Sequence, residues 1–222
     1  MTESTARRGD ECTPAARVTK SLFGYGVIAG PFYVLASVID GLTRSGFDFT
    51  RDSWSVLSLG SRGWIHITVF ILTGLMVAAA AVAFRRHFEP KLGRSAWVFL
   101  AFYGLMLVLA GIFPPDPTGA TRVTLHGLLH LAAGGLGFIA FAVSAFIVAR
   151  RFFRSGMRGW AWFSIVAGGL LLLGFVAIAS GTSTSFTVLL FTATVILSWA
   201  WLSVVSVRFY READAIGRAD AA

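Results

Sequence analysis

The sequence predicts an all-α, polytopic membrane protein: a single bundle of six transmembrane helices with amino and carboxyl termini cytoplasmic and a short interfacial helix in the first external loop. Three observations carry that expectation. The 222 residues are 56% hydrophobic and only 14% charged, whereas soluble domains run nearer a quarter charged. Six long apolar segments, residues 22–42, 65–84, 96–113, 125–149, 160–180 and 186–207, stand between short charged ones, and each has about the 17 to 25 residues that a helix needs to cross hydrocarbon. Basic residues are dense in alternate connections and sparse in the others. Apolar runs this long suit helices, which satisfy their backbone amides internally; barrel strands would be about ten residues long with alternating polarity.

Residues 1–20 read as a disordered cytoplasmic tail, 21–208 as the six-helix membrane domain and 209–222 as a second cytoplasmic tail. The first apolar segment is a poor cleavable signal, because Glu3, Asp10 and Glu11 precede it and the run is too long. The single cysteine, Cys12, lies in the tail, so no intramolecular disulfide can form. Pro31 frees a carbonyl inside the first helix and predicts a kink. Gly26 with Gly30, the AAGGLG run at 132–137, and Gly168 with Gly169 predict close helix packing. Trp54, Trp64, Trp97 and Trp160 flank spans and suit the head-group layer.

The first external connection, residues 43–64, is too long for a plain turn and too apolar for a solvated loop. Asp52 is expected to N-cap a short helix through SWSVLSL, with Gly60 as its left-handed stop and Trp54, Leu57 and Leu59 resting on the bilayer or the bundle mouth. The second, FPPDPTGATRVT, is stiffened by Pro114, Pro115 and Pro117, which end the third helix and fix where Asp116 points. The third, around SGTSTS at 180–185, is short and hydroxyl-rich. The two internal connections are about ten residues each, as expected of antiparallel neighbours in one bundle.

The charge of +8 does not point to nucleic acid, because of where it sits. Fifteen of the nineteen Lys and Arg residues fall on the side of the two termini, and only Arg44, Arg51, Arg62 and Arg122 on the other. That asymmetry sets topology, and His87, inside the first internal loop, shares the same simple reading.

Chemically capable residues then gather at the external side: Asp40, Asp48, Asp52, Ser55, Ser58, His66, Asp116, His126 and His130. His126 and His130 are four apart on one face of the fourth helix, His130 about 6 Å deeper. A histidine in hydrocarbon must face the bundle or a polar cavity, which makes His130 a functional candidate. SRGWIH (61–66) and TRVTLH (121–126) share a pattern of hydroxyl, Arg, two residues, aliphatic, His. Taken as a degenerate repeat, they would place His66 and His126 at equal depth with Arg62 and Arg122 one turn above. The plain structural alternative has Asp116 capping a turn or pairing with Arg122 while the histidines bond across helices.

RDSWSVLSLGSRGW before a helix, GIFPPDP closing the third helix and HGLLH opening the fourth together resemble the bacterial six-helix membrane family catalogued as domain of unknown function number 998. The resemblance spans residues 20–208. Its matching positions are Ser55, Ser58, Leu59 and Gly60, then Gly111, Phe113, Pro114 and Asp116, then His126 and His130. It implies the architecture, an external site and a multi-pass protein of the bacterial plasma membrane, and supplies no reaction.

Three functions fit that mouth. In the first, Arg51, Arg62 and Arg122 form an anion-friendly rim for a lipid head group or small amphiphile, with Trp54 covering its apolar part. In the second, His126, His130 and Asp116, or a third ligand from His66 or Asp52, hold a metal such as zinc for a membrane hydrolase or transferase. In the third, His66 with His126 or His130 ligates haem. Membrane lipids are the expected partners.

Overall fold

The structure is a computed structural model and describes residues 14–88, 95–181 and 184–219. The Cys12 thiol and the sequence features at Arg7, Arg8, Lys91, Arg94, Thr182 and Ser183 lie outside the described residues. Among those described there are six α-helices, one 3₁₀ helix and no strand: α1 (Pro14–Thr43), the 3₁₀ helix (Trp54–Ser58), α2 (Gly63–His87), α3 (Ala96–Ile112), α4 (Leu125–Arg154), α5 (Arg158–Ala179) and α6 (Ser185–Ala219). Five are long and apolar enough to cross a membrane, and α3, at 17 residues, is the short one.

The helices overrun the apolar segments, mostly at their basic ends. Residues 14–20, expected in a disordered tail, form the first turns of α1, and α6 continues past residue 208 to Ala219. Hydropathy stops at the first charge, but backbone hydrogen bonding does not. Arg85, Arg86 and His87 end α2, and Arg151 and Arg154 end α4, where basic side chains favour the negative end of the helix dipole. α4 stops only at the turn containing Gly156, whose φ of 73° is left-handed. α3 ends as the prolines require, with Phe113 extended at ψ 94° before Pro114.

Each helix packs on its neighbours in sequence, and α6 returns to α1, so the chain closes a ring of six antiparallel helices. α1 runs unbroken through Pro31. Beside it, a Cβ on Gly30 would stand 2.8 Å from the Trp199 carbonyl oxygen of α6, and only a residue without one allows this approach. A second such crossing joins α2 to α3, where a Cβ on Gly74 would meet the Gly104 carbonyl at 2.5 Å. The AAGGLG run behaves differently. Gly135 and Gly137 meet Phe175 and Met106 side chains, while a Cβ on Gly134 would touch only Phe175, at 3.9 Å.

At the arginine-rich end, Phe23, Phe84, Phe88, Phe152 and Phe209 form an interlocked aromatic plug. His87 is not a loop residue. It is buried in the last turn of α2 against Phe209, with Nε2 3.4 Å from Glu212 Oε2, and Arg208 pairs with the same carboxylate at 2.8 Å. The opposite end, where α1–α2, α3–α4 and α5–α6 connect, is the mouth of the bundle.

Candidate functional site

The mouth is braced by charges the sequence left unpaired. Asp40, in the last turns of α1 and 3% exposed, accepts from Arg44 Nη2 at 2.9 Å, and Arg62 Nη2 lies 3.3 Å from its other oxygen. Arg44 also donates to the Leu59 and Arg62 carbonyls, and Arg62 to the Thr43 carbonyl. These bonds tie the end of α1 to the start of α2 and hold the intervening connection shut over the bundle.

Asp52 does not cap the short helix. Ser53 stands at the N-cap position without a side-chain bond, and the buried Asp52 carboxylate accepts from Arg51 Nε and Nη2 at 3.1 and 2.7 Å and from the Asp48 amide at 3.0 Å. Burial pushes the Asp52 carboxyl up, but bonds from Arg51, the Asp48 amide and Thr118, with the Arg51 charge, outweigh it and hold the pKa below the usual value. A carboxylate bound so fully by its neighbours has little left to offer the helix start, and a single 3₁₀ turn results. Gly60 is left-handed as expected, with φ 73°. Trp54 and Leu57 are buried under this turn, so Trp54 is a plug of the bundle and not a head-group anchor; Trp64 is exposed.

The 3₁₀ turn and the α3–α4 connection together separate two concavities. On one side lies an open groove lined by Arg44, Arg51, Asp52, Val56, Leu59 and Arg62. On the other is a cavity of about 310 Å³ between the mouth-end halves of the helices. Tyr33, Trp54, Tyr103, His130, Phe175 and Trp199 are among its walls, with Ser53, Ser55 and Asp116 at the connections. Its size falls at the lower end of small-ligand pockets, roughly 300 to 1,000 Å³, and its mostly apolar lining is typical of them.

Asp116 serves the loop. Its two oxygens accept from the Thr124 hydroxyl at 2.7 Å and amide at 3.0 Å, while Thr124 caps α4 by accepting from Gly127 N. Those bonds hold the Asp116 carboxyl below its usual pKa. A Cβ on Gly127 would overlap the Asp116 carboxylate, so a larger residue there has to push that side chain off Thr124. The capping alternative therefore describes Asp116, with Thr124 as its partner in place of Arg122.

His130 binds across helices, its Nδ1 lying 2.9 Å from both the Ala110 and Phe113 carbonyl oxygens at the end of α3. Carbonyls only accept, so Nδ1 carries the proton and a neutral ring presents a lone pair at Nε2. Ser55 shares the cavity, its hydroxyl 3.0 Å from that of Ser53, and buried Ser58 bonds back to the Ser55 carbonyl. His126 is exposed and rests edge-on against Phe113, and Arg122 is exposed near it. His66 is fully buried behind Tyr33 and Phe70, with neither ring nitrogen hydrogen-bonded.

Three expectations fall here. The described residues contain no group of three His, Cys, Asp or Glu placed to hold a metal. His126, His130 and Asp116 do not converge, because Thr124 occupies the carboxylate, two carbonyls occupy Nδ1 of His130 and His126 faces outward. Haem between α2 and α4 would need the space that Phe70 fills, its ring centroid 5.0 Å from His66 and 6.0 Å from His130. The degenerate repeat fails as well: α2 starts three residues before His66 and α4 one residue before His126, which turns one ring inward and leaves the other exposed.

Sequence reasoning passed over Tyr33, Tyr103 and Trp199, and the cavity they line. The available signals were hydroxyl-bearing tyrosines in mid-span, where lipid gives them no partner, and a glycine run too dense for a single helix crossing. Gly134 and Gly137 of that run line the cavity, and Gly134 leaves open space beside it.

The family model described as "Protein of unknown function (DUF998)" matches residues 27–208. No curated protein and no solved structure matches the chain. The matched span takes in both walls of the mouth, the 3₁₀ turn as well as the α3–α4 connection, and most of the chain: this integral membrane protein belongs to the DUF998 family of proteins of unknown function.

Proposed function

We propose that the protein binds a small amphiphile at the mouth of its bundle, the apolar part of the ligand occupying the cavity between α3, α4, α5 and α6. In this reading all six helices cross a bacterial plasma membrane, and the mouth faces away from the cytoplasm because the arginine-rich connections lie at the other end. The observation that carries it is the cavity itself. A protein interior is normally close-packed, yet here about 310 Å³ stays open beside Gly134, Tyr33, Tyr103 and the His130 imidazole.

The proposed arginine rim changes character. Arg51 and Arg62 already hold Asp52 and Asp40, so they shape the groove next to the cavity and contribute little free charge to a ligand.

Gly134 supplies the test, since a side chain placed there meets open cavity before it meets backbone. Native protein and Gly134→Phe are purified in the same detergent, and co-purifying small molecules are extracted and weighed by mass spectrometry. The native protein is expected to retain an amphiphile near one per chain that the variant has lost. Equal lipid content in two equally folded samples rejects the reading.

A further inference from the structure

We infer that the cavity selects an uncharged amphiphile bearing a hydroxyl group, whose proton is donated to Nε2 of His130; this rests on the amphiphile reading above and names the chemistry of its ligand. The inventory of the walls leads there. Among the described residues no Arg or Lys lines the cavity; Arg44, Arg51 and Arg62 are turned to carboxylates in the groove behind the 3₁₀ turn, and Arg122, next to the lining residue Val123, is exposed. The one carboxylate on the wall among the described residues, Asp116, would repel an anion, and its oxygens are taken up by Thr124. A phosphate or sulfate head that moved fully into this space would lose its hydration with no cation among the described lining residues to replace it.

An uncharged polar head meets the reverse situation. Tyr33 and Tyr103 are 6% and 2% exposed and line the cavity, and neither hydroxyl has a hydrogen-bond partner among the described residues. The indole N–H groups of Trp54 and Trp199, in the same wall, are buried without a partner. His130 offers the complementary group, because its Nδ1–H is committed to the Ala110 and Phe113 carbonyls and its Nε2 lone pair is left for a donor. Such a wall both gives and accepts hydrogen bonds while carrying no net positive charge. A lipid hydroxyl satisfies both sides at once: its proton goes to Nε2 and its oxygen accepts from a tyrosine hydroxyl. An ester satisfies one side only.

Trp54 and Trp199 provide the readout. The full chain in detergent micelles is titrated with three bromine-bearing quenchers of one chain length: 9,10-dibromooctadecanol, the methyl ester of 9,10-dibromostearic acid, and 9,10-dibromooctadecyl sulfate. Saturable quenching is scored as the part abolished by Gly134→Phe. The alcohol is expected to saturate at roughly fivefold lower concentration than the ester, the scale of one neutral hydrogen bond, and the sulfate to saturate last. His130→Asn keeps an amide N–H where Nδ1 donates to α3 and removes Nε2, so it should fold with an unchanged Tm and lose the preference for the alcohol over the ester. Sulfate binding as well as or better than alcohol overturns the uncharged class. Alcohol and ester binding alike in the native protein, or an alcohol preference that survives in His130→Asn, overturns the role of Nε2. Saturable quenching by none of the three overturns the amphiphile reading together with this one, which separates the two failures.

Discussion

The groove and the cavity lie on opposite faces of a five-residue helix, yet they treat polar groups in opposite ways. In the groove, charges are paired, Arg44 and Arg62 with Asp40 and Arg51 with Asp52, and several further donors reach carbonyls of the same connection, although Arg44 Nε and Asp40 Oδ1 are buried without a hydrogen bond. In the cavity, Tyr33, Tyr103, Trp54 and Trp199 have buried or nearly buried polar atoms with no hydrogen-bond partner among the described residues. Buried polar groups are nearly always satisfied, and each exception asks for an explanation. The groove, rich in the residues that usually signal binding, is therefore scaffold. The cavity, rich in residues that usually signal packing, is where we propose that the ligand binds.

The largest effect expected from that contrast is at Asp40. Asp40→Ala leaves Arg44, almost buried, beside Arg62 with no carboxylate between them. Removing one partner of a buried ion pair costs about 3 to 5 kcal/mol, and since Arg62 is 44% exposed the lower end applies. A loss of about 3 kcal/mol in detergent-based unfolding is expected, with alcohol binding in the cavity weakened only as far as the mouth unfolds. A variant as stable as the native protein would break the assignment of the groove as scaffold.

Gly127→Ala comes next. Its methyl group would displace the Asp116 carboxylate from the first turn of α4, and overpacking of this kind costs about 1 to 3 kcal/mol. Amide exchange should rise at Thr124, whose N–H loses its acceptor, and stay unchanged in the aromatic plug at the other end.

Acid should loosen the same wall. Asp52 and Asp116 both have carboxyl pKa values lowered by the folded structure. For a carboxyl lowered on folding, the stability it contributes is fully present above its unfolded value, near 3.9, and is lost as pH falls through the folded value. The carboxyl contribution to the unfolding midpoint should therefore fall away below about pH 4, and Asp116→Asn should flatten that part of the fall. A native protein whose midpoint is unchanged at pH 3 would show that these bonds carry no stability.

Much of the fold was legible because hydropathy and backbone satisfaction in lipid leave few choices: all six helices occur where apolar runs occur, and α3 and α4 meet their expected boundaries at Ile112 and Leu125 to within one residue. The site was legible only in part. Ser55, Asp116 and His130 do share one cavity, and proline chemistry placed Asp116. What escaped was pairing. Nothing in the local sequence says that Asp40 would reach Arg62 across a twenty-two-residue interval, or that Thr124 would take the carboxylate offered to the histidines. Spacing of four put His126 and His130 on one face, but a helix beginning at Leu125 leaves His126 in its exposed first turn while His130 reaches α3. Unpartnered hydroxyls are equally invisible, since a tyrosine in a span looks the same whether or not it has found an acceptor.

The smallest effect is also the sharpest comparison. Tyr103→Phe removes a buried hydroxyl and nothing else, and since that hydroxyl has no partner among the described residues, no protein hydrogen bond is lost. Its cost in ligand-free protein should stay within about 0.5 kcal/mol. Ser144→Ala, on the other side of the same α3–α4 contact, removes a hydroxyl that donates to the Ala96 carbonyl at 3.0 Å. Losing that bond, while the carbonyl keeps its place in the α3 ladder, should cost about 0.5 to 1.5 kcal/mol. Adding 9,10-dibromooctadecanol should then open a gap for Tyr103→Phe, the native protein gaining thermal stability and the variant gaining less, while Ser144→Ala gains as much as the native. A Tyr103→Phe variant already unstable without ligand would mean that its hydroxyl has a partner inside the folded chain, and the cavity would then be no different in kind from the groove beside it.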